Sequence, residues 1–217
     1  MTDSKAILAE GGFESVLAAY AAGNLPCALH ALVGAHLELS PKNRAFVASL
    51  EESLGSNVSR QECCAPVRNR DARLDAIFCC DKETEKSRPP GCEDPRALTR
   101  YCGGPIDSLP FRNVIPGVRE YVVEKRGGLE ARLFRIAPGK RIPQHTHEGM
   151  ELTLVIRGSF SDATGRFARG DVAFADEELD HVPVTDEGAE CVCFTVLDAP
   201  LKLTGPIGRF FNRFLRS

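Results

Sequence analysis

Two of the chain's five histidines, His145 and His147, stand one residue apart in the stretch PQHTHEGMELTLVIRG, and Glu151 follows them. Residues two apart on a β-strand point to the same face, so both imidazoles project together. A tight turn at Glu148-Gly149 lets Glu151 begin the next strand facing the same way. His181 follows a later turn and heads another strand. Three imidazoles and one carboxylate form a donor set for zinc, iron, manganese or nickel. The expected metal ligands are His145, His147, Glu151 and His181. Glu148 has the opposite parity and is expected to face outward rather than serve as a general base. Cys191 and Cys193, two apart in AECVCFTV, share a face. If that face is inward, two thiols lie near the metal, as core packing or as a redox or sensing pair.

These side chains need a scaffold, and the hydrophobic period suggests one. From Leu109 the period is two, in short runs such as REYVVEK, LEARLFRI, ELTLVIR and ECVCFTVLD, broken by Gly, Pro and Asp. Many short strands at this spacing predict an all-β sandwich or barrel. Upstream, FESVLAAYAAG, PCALHALVGAHLEL, PKNRAFVASLEESLG and DARLDAIFCC carry apolar residues three and four apart, the period of helices. Pro26 suits a first helical turn, and Ser40-Pro41 can cap and open the next helix. Residues 81–108 are charged and rich in Pro and Gly, which reads as a linker with one helical turn around Ala97. The tail GPIGRFFNRFLRS reads as a final helix whose Phe210, Phe211 and Phe214 lie on the barrel. The expectation is an α+β chain: a helical domain over 1–85, a linker over 86–108, and a β-barrel domain with a C-terminal helix over 109–217.

The composition is that of an ordinary globular protein: 217 residues, 43% hydrophobic, 26% charged, net charge -3. It lacks the strong basic excess of a general nucleic-acid binder, so no direct contact with nucleic acid is expected. No run of about 18 apolar residues is present, so no membrane association is expected. The N-terminus has no basic segment leading into an apolar run, and a cytoplasmic location is the expectation. The nine cysteines include two adjacent pairs and no CxxC. They read mostly as reduced, packed thiols.

The spacing of the barrel histidines closely resembles the cupin superfamily, whose fold is a double-stranded β-helix. Its first motif, G-x5-H-x-H-x3,4-E-x6-G, is met at every fixed place by Gly139, His145, His147, Glu151 and Gly158. Its second, G-x5-P-x-G-x2-H-x3-N, is met at Gly170 and His181. Asp176, Glu178 and Thr185 replace the usual Pro, Gly and Asn. A cupin metal site alone leaves a metal-dependent enzyme, for example an iron or manganese dioxygenase, as open as a ligand sensor.

The helical half favours the sensor. VLAAYAAGNLPCALHALVGAHLELSPKNRAF, together with the barrel stretches around HTHEGMELTLV and CVCFTVLDAPL, resembles the ChrR-type zinc-binding anti-sigma factors over most of residues 13–217. The resemblance implies a helical domain that binds an extracytoplasmic-function (group IV) sigma factor. It also implies a cupin-like domain holding one zinc on His145, His147, Glu151 and His181, which helps release the sigma factor on stress such as singlet oxygen. A dimer through the barrel is compatible with this reading. One departure stands out. The family's helical zinc signature is H-x3-C-x2-C with a further histidine upstream. His36 fits, but Ser40 and Asn43 occupy the cysteine places, and Gly11-Gly12 align with the upstream histidine. Neutral Ser and Asn are poor zinc ligands beside thiolates, so no zinc is expected in the helical domain. The alternative function is a metal-dependent cupin enzyme with a vestigial helical domain.

Overall fold

The computed structural model describes residues 12–59, 68–79 and 93–204. Helices α1 (Gly12–Ala21), α2 (Cys27–Leu39), α3 (Arg44–Ser59) and α4 (Arg70–Cys79) lie where the apolar spacing predicts them. Pro26, with its fixed φ of -56°, precedes α2. Val16 and Leu17 of α1 pack with Leu29, Leu32 and Val33 of α2, all almost fully buried. By contrast, α4 buries none of its residues.

Of the segment read as a linker, residues 93–108 carry the helical turn expected around Ala97 and pack against the rest of the structure, and 86–92 lie outside the described residues. Helix α5 (Arg96–Cys102) and a 3-10 turn (Ile106–Ser108) bury Leu98 and Ile106 completely. Glu38, in the last turn of α2, caps α5: the backbone N–H groups of Arg96 and Ala97 donate to its carboxylate at 2.6 and 2.8 Å. Those N–H groups have no partner inside their own helix, and the carboxylate suits the positive helix end. On the barrel side, Arg157 reaches Asp94 at 3.3 Å and Asp107 at 2.9 Å. The charges that made this stretch look solvated are the ones that fasten it down.

The barrel is wholly antiparallel. A six-stranded sheet runs in the order β1 (Arg112–Ile115), β2 (Val118–Arg126), β3 (Leu129–Ile136), β10 (Cys191–Leu197), β5 (Glu151–Arg157), β8 (Val172–Ala175). A three-stranded sheet orders β7 (Gly165–Ala168), β6 (Ser159–Asp162) and β9 (Val184–Thr185), and β4 (His145–His147) pairs with β11 (Leu201–Leu203). Side chains from all three sheets line one interior cavity of about 130 Å³. This is the cupin architecture. Gly158 is needed where β5 turns into β6: its φ is +71°, and a Cβ there would lie 2.6 Å from the Glu190 carbonyl oxygen.

The helices cover the outer face of the six-stranded sheet. Leu152, Leu154 and Ile156 of β5 and Val192, Phe194 and Val196 of β10 share one core with α1, α2 and α5. Both strands are therefore buried on two faces, which is why they read as nearly continuous apolar runs. The tail helix expected from residue 205 onward lies outside the described residues. Among the described residues, no helix is long and apolar enough to cross a membrane.

Candidate metal centre

Strand β4 turns His145 and His147 into the barrel, where they are 5% and 2% exposed. Between them Thr146 points the other way, its hydroxyl donating to the Glu177 carbonyl at 3.1 Å. His181 is tied to His145 by reciprocal backbone hydrogen bonds of 3.1 and 3.0 Å. The chain reaches His181 through a turn in which the Glu178 N–H donates to the Asp176 carboxylate at 3.0 Å. Thr185 accepts from the Lys140 N–H at 2.8 Å and donates to the Ala137 carbonyl at 2.7 Å. Asp176 thus builds the turn with a side-chain hydrogen bond in place of the usual Pro, and Thr185, in place of the usual Asn, ties its strand to residues 137–140.

The ring nitrogens converge. His181 Nε2 lies 3.1 Å from His145 Nε2 and 3.3 Å from His147 Nε2. The opposite nitrogens fix the tautomers. His145 Nδ1–H donates to the Pro143 carbonyl at 2.8 Å, and His181 Nδ1–H donates to the Asp162 carboxylate at 2.7 Å. In neutral rings this leaves both Nε2 atoms as bare lone pairs, which cannot hydrogen-bond each other. A cation resolves that conflict. Tetrahedral zinc with ligands at roughly 2.0–2.1 Å sets its nitrogens about 3.3 Å apart, so the donor set fits. His147 Nδ1 is buried without a hydrogen-bond partner.

Three of the four expected ligands, His145, His147 and His181, bring their ligand atoms within 4.8 Å of one another. Glu151 stands beside them: one carboxylate oxygen is 3.6 Å from His147 Nδ1, and the other accepts from the Thr153 hydroxyl at 2.9 Å. Burial pushes the His145 pKa down, and burial together with nearby His181 pushes His147 down to about 4. Both rings are therefore neutral at pH 7 and present lone pairs. Burial raises the Glu151 carboxyl, against the pull of His145.

Asp162 escapes a reading of the sequence. Its side chain is only 1% exposed. One oxygen serves the β6–β7 turn, accepting from the Thr164 N–H and hydroxyl at 2.8 and 2.6 Å. The other accepts from His181. An aspartate in SDATG looks like ordinary turn chemistry, and only its inward parity on β6 hints at more. A carboxylate behind a metal-binding histidine orients the ring and raises its basicity. Asp162→Asn is expected to weaken metal binding about 10- to 100-fold, measured by competition with a chromogenic chelator.

Cys191 and Cys193 lie on the inner face of β10 with sulfurs 3.5 Å apart. Cys193 lines the cavity with His145, Glu151 and His181. Its partner thiol and burial hold the Cys193 pKa well above the ordinary thiol value. Glu148 is exposed. In the helical domain, His36 is buried with both ring nitrogens engaged. Nδ1–H donates to the Gly170 carbonyl at 2.7 Å, and Nε2 accepts from the Asn43 amide at 3.2 Å. Ser40 accepts from the Lys42 N–H at 3.2 Å. Ser40 and Asn43 supply no thiolate, so this position does not fit a zinc ion.

Helices packed on a cupin barrel with three converging imidazoles define a cupin protein with an added helical layer and an interior metal-type site. The family model for the ChrR cupin-like domain matches residues 103–200. The chain is 36% identical over 207 residues to the anti-sigma-E factor ChrR of Cereibacter sphaeroides, covering 94% of this chain and 96% of that protein. It also resembles the crystal structure of Rhodobacter sphaeroides SigE in complex with the anti-sigma ChrR. The TM-score is 0.68 and the identity 34%, over 85% of this chain and 96% of that one. The chain belongs to the ChrR-type anti-sigma factors.

Proposed function

We propose that this chain is an anti-sigma factor that binds a group IV sigma factor in the cytoplasm and withholds it from RNA polymerase. The helical domain, within residues 1–85, makes the contact. The cupin-like domain, within 109–217, holds one zinc on His145, His147, His181 and Glu151 and is needed for release under oxidative, singlet-oxygen-like stress. The observation that carries this reading is a match to ChrR that runs through both domains, 94% of this chain and 96% of the relative. The exposed surface of the helices supports it. Val58 of α3 and Ile77 and Phe78 of α4 are 69%, 65% and 79% exposed. A helix that buries none of its own apolar residues is suited to cover a partner.

Co-expression of the full chain with the group IV sigma factors of its own genome tests the proposal. One of them is expected to co-elute as an equimolar complex. Phe78→Asp is expected to weaken that complex by at least about tenfold, the scale of one buried aromatic anchor. If no group IV sigma factor is retained and the purified protein carries iron and consumes oxygen with a small substrate, the metal-dependent enzyme reading replaces this one. Cys191 and Cys193 are both buried, and the raised pKa of the Cys193 thiol favours packing over rapid oxidation.

A further inference from the structure

The joint between α2 and α3 occupies the place of the family's helical zinc signature, with Ser40 and Asn43 where thiolates belong. Asn43 adopts a φ of +66°, a left-handed conformation that asparagine tolerates, and this aims its amide at His36. Arg44 ties the helix ends on the solvent side, donating to the Leu37 and Glu38 carbonyls at 2.6 and 3.1 Å. On the buried side, the joint meets the turn between β7 and β8.

Three contacts converge there: a buried hydrogen bond, an ion pair nearer the solvent and a close packing. His36 donates to the Gly170 carbonyl at 2.7 Å. Lys42 pairs with the Asp171 carboxylate at 2.6 Å, whose other oxygen accepts from the Ala168 N–H at 3.0 Å. Gly170 has a φ of +89°, and a Cβ on it would sit 3.2 Å from both Leu39 and Ser40. The turn is riveted to β5 as well: the Gly170 N–H donates to the Val155 carbonyl at 2.8 Å, and the Val155 N–H to the Asp171 carbonyl at 3.0 Å.

We propose that the barrel turn Gly170–Asp171 braces the α2–α3 joint through His36, Lys42 and Asn43, taking the part that the family signature gives to zinc. A metal clip would fix the two helices from within their own domain. Here the buried restraint comes from the other domain, so the angle between the helices depends on the barrel. His36 serves this role as a neutral ring, with one nitrogen donating and the other accepting, and burial lowers its pKa accordingly. The inference concerns the joint itself and stands whatever partner the helices hold.

Amide hydrogen exchange on the full chain tests it, comparing the parent with Gly170→Ala, Asp171→Ala and Asn43→Gly. The reporters are the joint amides of Ser40, Arg44 and Val47, which donate to His36, Pro41 and Asn43. Both barrel-side changes are expected to speed exchange at residues 40–47 on the order of tenfold, the scale of losing one such hydrogen bond. Strands β3, β5 and β10 should keep their protection. Asn43→Gly keeps the left-handed backbone without strain and should loosen residues 168–171 in return. If Gly170→Ala fails to fold at its positive φ, Asp171→Ala decides. Unchanged exchange at 40–47 in the folded barrel-side variants would overturn the brace, leaving Arg44 and helix packing to hold the joint.

Discussion

His181→Ala is expected to yield a barrel that no longer retains zinc through dialysis, while the Glu148→Ala control retains it. His181 Nε2 lies 3.3 Å from His147 Nε2 and 3.1 Å from His145 Nε2, so its loss leaves two nitrogens that no longer surround a common point. It also leaves the Asp162 carboxylate buried without its imidazole donor, a cost of about 1–3 kcal/mol before any metal is counted. Structural zinc sites bind with an apparent free energy of about 10–16 kcal/mol. Losing roughly a quarter of that lowers affinity about 100- to 1000-fold. Metal content by elemental analysis and the unfolding temperature with and without added zinc read the two effects separately. Retention of stoichiometric zinc by the variant would remove His181 from the ligand set.

Acid should act in the same direction, with a definite sign. An unfolded histidine takes up a proton near pH 6.5, whereas folded, metal-free His147 holds out to about 4. Between those values the unfolded chain binds more protons than the folded one, so lowering the pH costs stability. Below about 4 the proton competes for His147 in the folded protein too. Above pH 6.5 this residue makes stability insensitive to pH.

Phe194→Ala is expected to cost the full chain about 3–5 kcal/mol, the range for emptying a large aromatic site in a core. Phe194 has no exposed surface and belongs to the cluster shared by α1, α2, α5 and the outer sheet face. Its ring meets Tyr101 edge-on at 6.0 Å, and Tyr101 is anchored by donating to Glu124 at 2.6 Å. Marginal stabilities of about 5–15 kcal/mol make such a loss a large fraction of the whole. Urea unfolding followed by circular dichroism would show it as a lower midpoint. A cost under about 1 kcal/mol would mean that the helices merely rest on the barrel.

Local signals account for what could be read from the sequence. The apolar spacing in FESVLAAY and PCALHALVGAHLEL reflects contacts within and between neighbouring helices, and all four helices lie where it placed them. The HTH stretch is legible because parity sends both rings inward, and His181 because it fills the histidine place of the second motif. Contacts between distant residues were not legible. Asp94, Asp107 and Glu38 look like solvated charges until their partners Arg157 and the α5 N-terminus are brought up from far along the chain. Asp162 passes for a turn residue because it is one, with a second oxygen to spare. His36 reads as a packed or half-exposed helix residue, and only the fold supplies its partner, the carbonyl of Gly170, 134 residues away.

Strand β10 is a partition one residue thick. Its odd positions Cys193 and Thr195 face the chamber that holds the imidazoles, with Cys191 packed beside Cys193, and its even positions, Val192, Phe194 and Val196, face the helices. Among the described residues, no further layer lies between the two compartments. A larger group at Cys193 meets the Cys191 sulfur, 3.5 Å away on the same face, and overpacking between them is relieved by backbone shifts. The backbone that shifts is the one that seats Phe194 under Tyr101. Chemistry inside the barrel and the seating of the helices outside are thus consecutive positions on the same strand.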